Sequence, residues 1–133
     1  MKADVAIDAL IEQFFAAFSS GPGLDERLDA LYGLFVPKAV VVRGTEQWSV
    51  AEFVEPRRTL LAGTSLGGFS EWEEDCSTTV NGNLALRWSR YSKSWTQVYQ
   101  LHTGGGQKAF SLVEGDEGWR IVSLTWRDDE ITP

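Results

Sequence analysis

The chain has 133 residues and a formal charge of -7, from 12 Lys and Arg residues against 19 Asp and Glu residues. This length is typical of one domain with a hydrophobic core, and hydrophobic residues at 43% with aromatic residues at 12% exclude a disordered chain. The acidity, together with the lack of a long Lys and Arg cluster, argues against binding to nucleic acid or to an anionic membrane surface.

No apolar run in the sequence approaches the roughly 20 residues that cross a bilayer. The apolar residues near the start are interrupted by Asp4, Asp8 and Glu12, which is not typical of a secretory signal. The only cysteine, Cys76, cannot form an internal disulfide and is expected to be a buried strand thiol. We therefore expect one domain over residues 1–133, located in the cytoplasm.

Three helices are predicted in the first half of the chain. Over residues 4–18 the apolar side chains recur every three or four positions, which is typical of an amphipathic helix. The same period predicts a second helix over residues 24–35. Ser49 and Glu52 have the spacing of a capping box and predict the start of a third helix. Pro56 should kink or shorten that helix.

The remaining elements are predicted to be strands. Three consecutive Val residues favour a strand at residues 39–43. One hairpin is predicted over residues 69–93 and another over residues 108–126. Between them, residues 95–107 end in Gly104-Gly105-Gly106 and are expected to form a loosely ordered connection. Helices followed by a run of strands predict an α+β fold with an antiparallel sheet.

The two faces of the long hairpin depend on its turn. Asn81-Gly82 suits a tight turn in which both central residues tolerate positive φ, and we expect Thr79 opposite Leu84. One face then carries Trp72, Glu74, Cys76, Thr78, Arg87, Ser89 and Tyr91. On this face Glu74 lies diagonal to Arg87, which predicts an ion pair. Such pairs more often stabilise a structure than contact a ligand.

Both faces of the last hairpin are apolar. Phe110, Leu112, Trp119 and Ile121 share one face, and Ala109, Val113, Val122, Leu124 and Trp126 share the other. Helices can cover only one face of a single sheet, and monomers rarely expose large apolar patches. We therefore predict that a second copy of the chain covers the other face, which gives a homodimer.

Three segments carry a resemblance to a known family. They are Val80-Asn81-Gly82-Asn83-Leu84-Ala85 followed by Arg87, Ser89 and Tyr91, then Gly118-Trp119-Arg120-Ile121-Val122-Ser123, then Trp126-Arg127-Asp128-Asp129. With the helix order, they resemble a bacterial branch of the nuclear transport factor 2-like superfamily, also called SnoaL-like or cystatin-like. The resemblance implies a cone of three N-terminal helices packed on a strongly curved, mainly antiparallel sheet, with a pocket between them. It implies no single reaction, because this fold hosts many functions.

The candidate catalytic residues are Glu74, His102 and Asp128, which could direct an acid or a base into such a pocket. His102 is the only histidine, the residue type that most often exchanges protons near neutral pH. A lone histidine without a partner is, however, more often a surface residue. The ketosteroid isomerase relatives use a carboxylate base with a tyrosine. The first helix here has no tyrosine, so Tyr32 or Tyr91 would have to supply that group.

A metal site is considered and not predicted. Glu71, Glu73 and Asp75 are spaced by two, so they would share one strand face and could bind a hard cation. A solvent-exposed edge strand explains the three carboxylates more simply, because charges there also prevent edge-to-edge aggregation. The sequence therefore predicts no metal and no cofactor.

The preferred functional hypothesis is a homodimeric protein that binds a small, largely apolar molecule, with no catalysis assigned. The residues expected to line its pocket are Phe14, Phe18, Tyr32, Arg87, Tyr91 and Trp126. One alternative is a cofactor-independent isomerase, dehydratase or cyclase that acts by general acid and base catalysis. Another is a non-catalytic dimerisation module, whose cavity would be filled by its own Phe and Trp side chains.

Overall fold

The computed structural model describes residues 2–129, which form three helices and six strands. The helices are α1 (Lys2–Ala16), α2 (Leu24–Tyr32) and α3 (Val50–Ala62), and the strands are β1 (Phe35–Arg43), β2 (Glu46–Trp48), β3 (Gly67–Asn81), β4 (Leu84–Gln97), β5 (Gln100–Gly115) and β6 (Gly118–Asp128). One sheet has the strand order β2-β1-β6-β5-β4-β3. Strands β1 and β6 are parallel and the other neighbours antiparallel, so the sheet is mixed and mainly antiparallel. No helix within the described range is long and apolar enough to cross a membrane.

The start of α3 agrees with the sequence. The Glu52 amide donates to Ser49 Oγ at 3.1 Å and the Ser49 amide donates to Glu52 Oε1 at 2.9 Å, which confirms the capping box. Pro56 lies inside α3, and the helix continues past it. The predicted end of α2 is wrong, because the helix stops at Tyr32 and Phe35 already begins β1.

The hydrophobic core lies between the helices and the inner face of the sheet. The rings of Phe14 on α1 and Phe110 on β5 meet edge to face, with centroids 5.1 Å apart. Ile7 and Ile11 of α1 are fully buried beside them. Burying one large apolar side chain stabilises a fold by roughly 1.5–3 kcal/mol. The amphipathic face of α1 therefore attaches this helix firmly to the sheet.

The long hairpin turns one residue later than expected. Asn81 pairs with Leu84, which leaves Gly82-Asn83 in the turn. Thr79 therefore lies opposite Leu86, and the predicted register is wrong. Gly82 has a φ of 60°, as the first central residue of a type II′ turn requires. A shift of two residues preserves the side-chain alternation, so the faces next to the turn keep their predicted composition.

A β-bulge at Glu74 reverses the faces farther from the turn. The strands pair Glu73 with Tyr91 but Asp75 with Arg90, which leaves Glu74 as an extra residue. Beyond the bulge, Glu73 lies on the inner face beside Tyr91. A strand without a bulge would place Glu74 there instead. The predicted composition of this face is therefore wrong from Glu74 towards the start of β3.

A second bulge, at Val122 in β6, has the same effect. Ile121 and Ser123 pair with consecutive residues of β5, which leaves Val122 unpaired and 38% exposed. Leu124 and Trp126, which alternation places on the same face as Val122, are instead buried on the inner face. The outer face of the sheet thus keeps fewer apolar residues than predicted.

The segment expected to be a loose connection is ordered sheet, so that prediction is wrong. Strand β4 extends to Gln97 and β5 begins at Gln100. The turn residues between them, Val98-Tyr99, both have positive φ, at 52° and 61°. The glycines lie within β5, and at Gly106 the neighbours leave little room, since a Cβ there would lie 2.7 Å from the Tyr91 hydroxyl oxygen.

The outer face of the sheet, opposite the helices, exposes apolar side chains. Leu86 is 60% exposed and Trp88 is 50% exposed on β4. Small uncharged residues surround them, namely Ser77, Thr79, Ala109, Ser111, Ser123 and Thr125. This surface is called the outer apolar face below.

Candidate ligand-binding site

A cavity of about 470 Å³ lies between α3 and the inner face of the sheet. Its apolar walls are formed mainly by Phe18, Phe53, Leu60, Leu61, Phe69, Tyr91, Trp95 and Trp126. Its charged side chains are Arg43, Arg57, Glu71, Lys93, Lys108 and Asp128. A mostly apolar cleft with a few placed polar groups is the usual form of a small-molecule site.

The structure places three of the six predicted ligand-binding residues in the cavity wall, namely Phe18, Tyr91 and Trp126. Phe14 is fully buried in the core between α1 and the sheet. Tyr32 lies between α2 and α3, where its hydroxyl donates to Glu55 Oε2 at 2.5 Å. Burial and the contact with Glu55 raise the pKa of Tyr32 to about 12. Tyr32 therefore joins two helices and does not face the cavity.

Arg87 lies on the inner face outside this cavity, and its partner is Glu73 rather than the predicted Glu74. Arg87 Nε donates to Glu73 Oε2 at 3.1 Å and Nη2 donates to Oε1 at 2.6 Å, a bidentate pair. Nη1 also donates to Asp8 Oδ1 at 2.5 Å. Burial alone would lower the pKa of Arg87, but the hydrogen bonds to Glu73 and Asp8 raise it. The bulge explains the exchange, since Glu74 is exposed and accepts from Trp72 Nε1.

Of the three candidate catalytic residues, the structure brings only Asp128 to the cavity wall. Glu74 is exposed on β3. His102 on β5 stacks on Trp95, with ring centroids 5.5 Å apart, and does not line the cavity itself. Cys76, expected to be buried, is exposed because β3 is an edge strand.

Asp128 and Tyr91 form a hydrogen-bonded pair in the cavity wall, in which the Tyr91 hydroxyl donates to Asp128 Oδ1. Lys93 Nζ lies 3.4 Å from Oδ1, and Arg43 Nη2 lies 3.3 Å from Oδ2. Burial alone would raise the pKa of Asp128, but the Tyr91 hydrogen bond and the two cations lower it below its ordinary 3.8. Burial and the Asp128 carboxylate raise the pKa of Tyr91. At neutral pH, Asp128 is ionised and Tyr91 keeps its proton.

Lys108 and Glu71 form a buried ion pair that the sequence analysis missed. Lys108 Nζ lies 3.1 Å from Glu71 Oε1 and 3.9 Å from the centroid of the Tyr91 ring. Burial lowers the pKa of Lys108, and the charge of Glu71 opposes that shift. One signal could have revealed Lys108: it alternates in phase with Phe110 and Leu112, so it lies on the buried face of β5.

Arg57 on α3 is the second cation that the sequence analysis missed. Its Nη1 donates to the Phe53 carbonyl oxygen at 2.9 Å. The guanidinium carbon lies 4.3 Å from the centroid of the Phe53 ring and 5.4 Å from that of Trp126, a cation–π arrangement. Burial lowers the pKa of Arg57. Nothing in the sequence distinguishes it from Arg58, which forms surface ion pairs with carboxylates of α2.

The cavity can hold an apolar molecule against aromatic walls and offers a carboxylate, a phenol and an amine for hydrogen bonding or proton transfer. Within residues 2–129, no group of three or more His, Cys, Asp or Glu side chains is placed to hold a metal ion. The bulge at Glu74 separates the three carboxylates considered as cation ligands, since Asp75 pairs with Arg90 while Glu71 and Glu73 face inwards.

Three helices on a curved mixed sheet, with a cavity between α3 and the sheet, define a nuclear transport factor 2-like, cystatin-like fold. This is the fold that the resemblance of the three sequence segments implies. The assignment of the fold rests on structure alone, because comparison by sequence matches no family model and no curated protein.

Solved structures of this fold match nearly the whole chain. A nuclear transport factor 2-like superfamily protein from Salmonella enterica serovar Typhimurium is 15% identical, with a TM-score of 0.75, and the match covers 99% of this chain and 94% of that one. A nuclear transport factor 2-like protein with a cystatin-like fold from Novosphingobium aromaticivorans is 18% identical, with a TM-score of 0.74 and coverages of 94% and 80%. The hexachlorocyclohexane dehydrochlorinase LinA-type3 from Novosphingobium barchaimii is 14% identical, with a TM-score of 0.76 and coverages of 99% and 90%. Identities this low establish the fold alone.

Proposed function

We propose that this chain is a pocket protein that binds a small, largely apolar molecule. The observation that carries the proposal is the cavity itself, because about 470 Å³ lies within the roughly 300–1,000 Å³ typical of small-molecule sites. Aromatic and aliphatic walls favour an apolar ligand, and the few polar groups can orient it. The open volume weighs against a pure dimerisation module, for which we expect a cavity filled by its own aromatic side chains.

Binding of a neutral fluorescent probe, N-phenyl-1-naphthylamine, tests this proposal. We expect saturable binding at one site per chain, and Leu60→Trp should weaken it at least about tenfold by filling the cavity mouth. Leu60 lines the cavity and is 47% exposed, so the larger side chain is compatible with folding. Val5→Trp is the matched control, because Val5 is 65% exposed on α1 and outside the cavity. Absence of saturable binding, or equal binding by both variants, would refute the proposal.

A second candidate function is proton-transfer catalysis without a cofactor, of the isomerase, dehydratase or cyclase kind. It is favoured by the position of Lys108 at the cavity wall, since a base must lie close to the proton that it removes. Burial there lowers the pKa of the Lys108 amine, and the charge of Glu71 opposes that shift. Asp128, with its lowered pKa, is the weaker base and better suited to orienting Tyr91. A structural neighbour named as a dehydrochlorinase supports an enzyme on this fold.

Deuterium exchange at the α-carbon of β-tetralone, followed by NMR, tests the catalytic candidate. The wild-type protein should accelerate the exchange above the buffer rate, and the double variant Lys108→Met with Glu71→Leu should lose that acceleration. The same variant should still bind N-phenyl-1-naphthylamine, since it replaces a charged pair of the lining by apolar side chains and keeps the aromatic residues. Exchange at the buffer rate in the wild type would remove this candidate and leave the binding proposal in place.

The assembly we propose is a homodimer through the outer apolar face. Leu86 and Trp88 are exposed there among small uncharged residues, and a twofold-related copy would cover both side chains with the same patch. We expect a dimer by analytical ultracentrifugation and a monomer for Trp88→Glu, because a charge at the centre of an apolar interface is strongly unfavourable. Val5→Glu, which places the same charge on exposed α1, should remain dimeric. A wild-type monomer at micromolar concentration would exclude this assembly.

A further inference from the structure

The cavity carries more positive than negative charge, although the chain as a whole is acidic. Four cationic side chains and two carboxylates line it, whereas the whole sequence has a formal charge of -7. Three of the cations, Arg43, Arg57 and Lys108, lie within 6 Å of the Trp126 ring centroid. A cleft of one charge sign with low-dielectric walls concentrates ions of the opposite sign.

Within residues 2–129, each of the other three cations of the cavity has a carboxylate within 4.0 Å, and Arg57 has none. Asp128 lies beside Arg43 and Lys93, and Glu71 lies beside Lys108. Among residues 2–129, the ion pairs formed within 4.0 Å do not include Arg57. Its guanidinium donates a hydrogen bond to the carbonyl oxygen of Phe53. Arg57 is therefore a half-buried guanidinium with no carboxylate in direct contact among the described residues, and only the more distant charges of Glu71 and Asp128 act on it.

A partly buried guanidinium without a directly bound carboxylate favours an anionic ligand. Partial burial removes water from Arg57 and lowers its pKa, a cost that an anion in the cavity would offset. The planar N–H fork of arginine matches a carboxylate or a sulfonate through two parallel hydrogen bonds. The rings of Phe53 and Trp126 pack against the Arg57 guanidinium. Both rings also form part of the apolar cavity wall.

We propose that the cavity selects an apolar molecule with one anionic group, and that Arg57 binds this group while the aromatic walls enclose the rest. The proposal rests on the proposed binding function and adds the charge of the ligand. It does not depend on catalysis or on the homodimer. The alternative occupant is a neutral molecule of the same size, with Arg57 serving only to cover the aromatic rings.

Two fluorescent probes that differ only in one sulfonate group separate these occupants. We expect 8-anilinonaphthalene-1-sulfonate to bind the wild-type protein about tenfold more tightly than N-phenyl-1-naphthylamine at low salt, the effect of one charge-assisted contact. Arg57→Gln should abolish that preference while changing N-phenyl-1-naphthylamine binding by less than about twofold. Added NaCl should reduce the preference in the wild type, because salt screens the attraction. Leu60→Trp should weaken binding of both probes, which places them in the cavity.

Two further variants control for charge and folding. Arg120→Gln removes one positive charge outside the cavity, where Arg120 is paired with Glu117, and should keep the preference for the sulfonate. Arg57→Lys, which keeps the charge without the planar fork, should retain part of it. Equal affinities for the two probes in the wild type would overturn the inference and leave the binding function intact. Failure of the wild type to bind either probe would overturn both.

Discussion

The Lys108 ammonium nitrogen lies 3.1 Å from Glu71 Oε1, and both side chains are almost completely buried in the cavity wall. Replacing Lys108 by Met keeps much of the side-chain volume and leaves Glu71 without a counter-charge. Because an isolated buried charge is strongly unfavourable, we expect the free energy of unfolding to fall by about 3–5 kcal/mol, measured by urea denaturation.

The matched double variant, Lys108→Met with Glu71→Leu, should recover most of that loss. Removing both charges eliminates the desolvation penalty together with the attraction, so such replacements are often nearly neutral. A double variant as unstable as the single one would mean that packing around Lys108, and not the lone charge of Glu71, sets the cost.

The adjacent carboxylates Glu73 and Glu74 on β3 should contribute unequally to stability, and this difference tests the position of the bulge. Glu73→Gln presents an amide to the buried Arg87, which loses a bidentate charged partner but keeps Asp8. We expect a loss of about 1–3 kcal/mol in the free energy of unfolding. Glu74→Gln alters an exposed side chain and should change it by less than about 0.5 kcal/mol. Equal effects in chemical denaturation would contradict the register described for this hairpin.

The helices were predictable because their signals are local. The capping box of Ser49 and Glu52 lies within one turn, and the apolar period of α1 specifies which face is buried. The resemblance of the strand segments likewise led to the correct fold. The positions of the two bulges, at Glu74 and Val122, could not be predicted from the sequence. A bulge inserts one residue without any characteristic change in the local amino-acid composition.

These bulges explain which side chains of β3 and β6 reach the inner face. Glu73 rather than Glu74 meets Arg87 because the alternation is reversed beyond the bulge in β3. Trp126 reaches the cavity through the bulge in β6. Arg57 and Lys108, which the sequence analysis did not place in the site, are long cationic side chains, whose burial depends on tertiary contacts more than on their own type.

Gly106 and Gly104 lie in the same strand and should respond differently to alanine. A Cβ at Gly106 would overlap the Arg127 carbonyl oxygen and the Tyr91 hydroxyl, both of which are fixed in the sheet and cavity wall. A Cβ at Gly104 would meet Lys93 Cε at 3.1 Å, the far end of a flexible side chain. We expect Gly106→Ala to cost at least about 2 kcal/mol and Gly104→Ala less than about 1 kcal/mol in thermal or urea unfolding. Comparable losses would contradict this account of the glycine run.

The hydrogen bond from Tyr91 to Asp128 should make stability depend on pH in acid. The pKa of Asp128 in the folded protein lies below its ordinary 3.8, so as the pH falls the unfolded chain takes up this proton first. The stabilising contribution of Asp128 is therefore present above pH 3.8 and is lost as the pH falls through the folded pKa. We expect the stability difference between wild type and Asp128→Asn to shrink over that interval, measured by urea unfolding at a series of pH values.

Tyr91→Phe removes one of the groups that lower the pKa of Asp128, so the unfolding of this variant should depend less on pH than that of the wild type. A difference that stays constant through the acid range would mean that Asp128 ionises alike in the folded and unfolded chains.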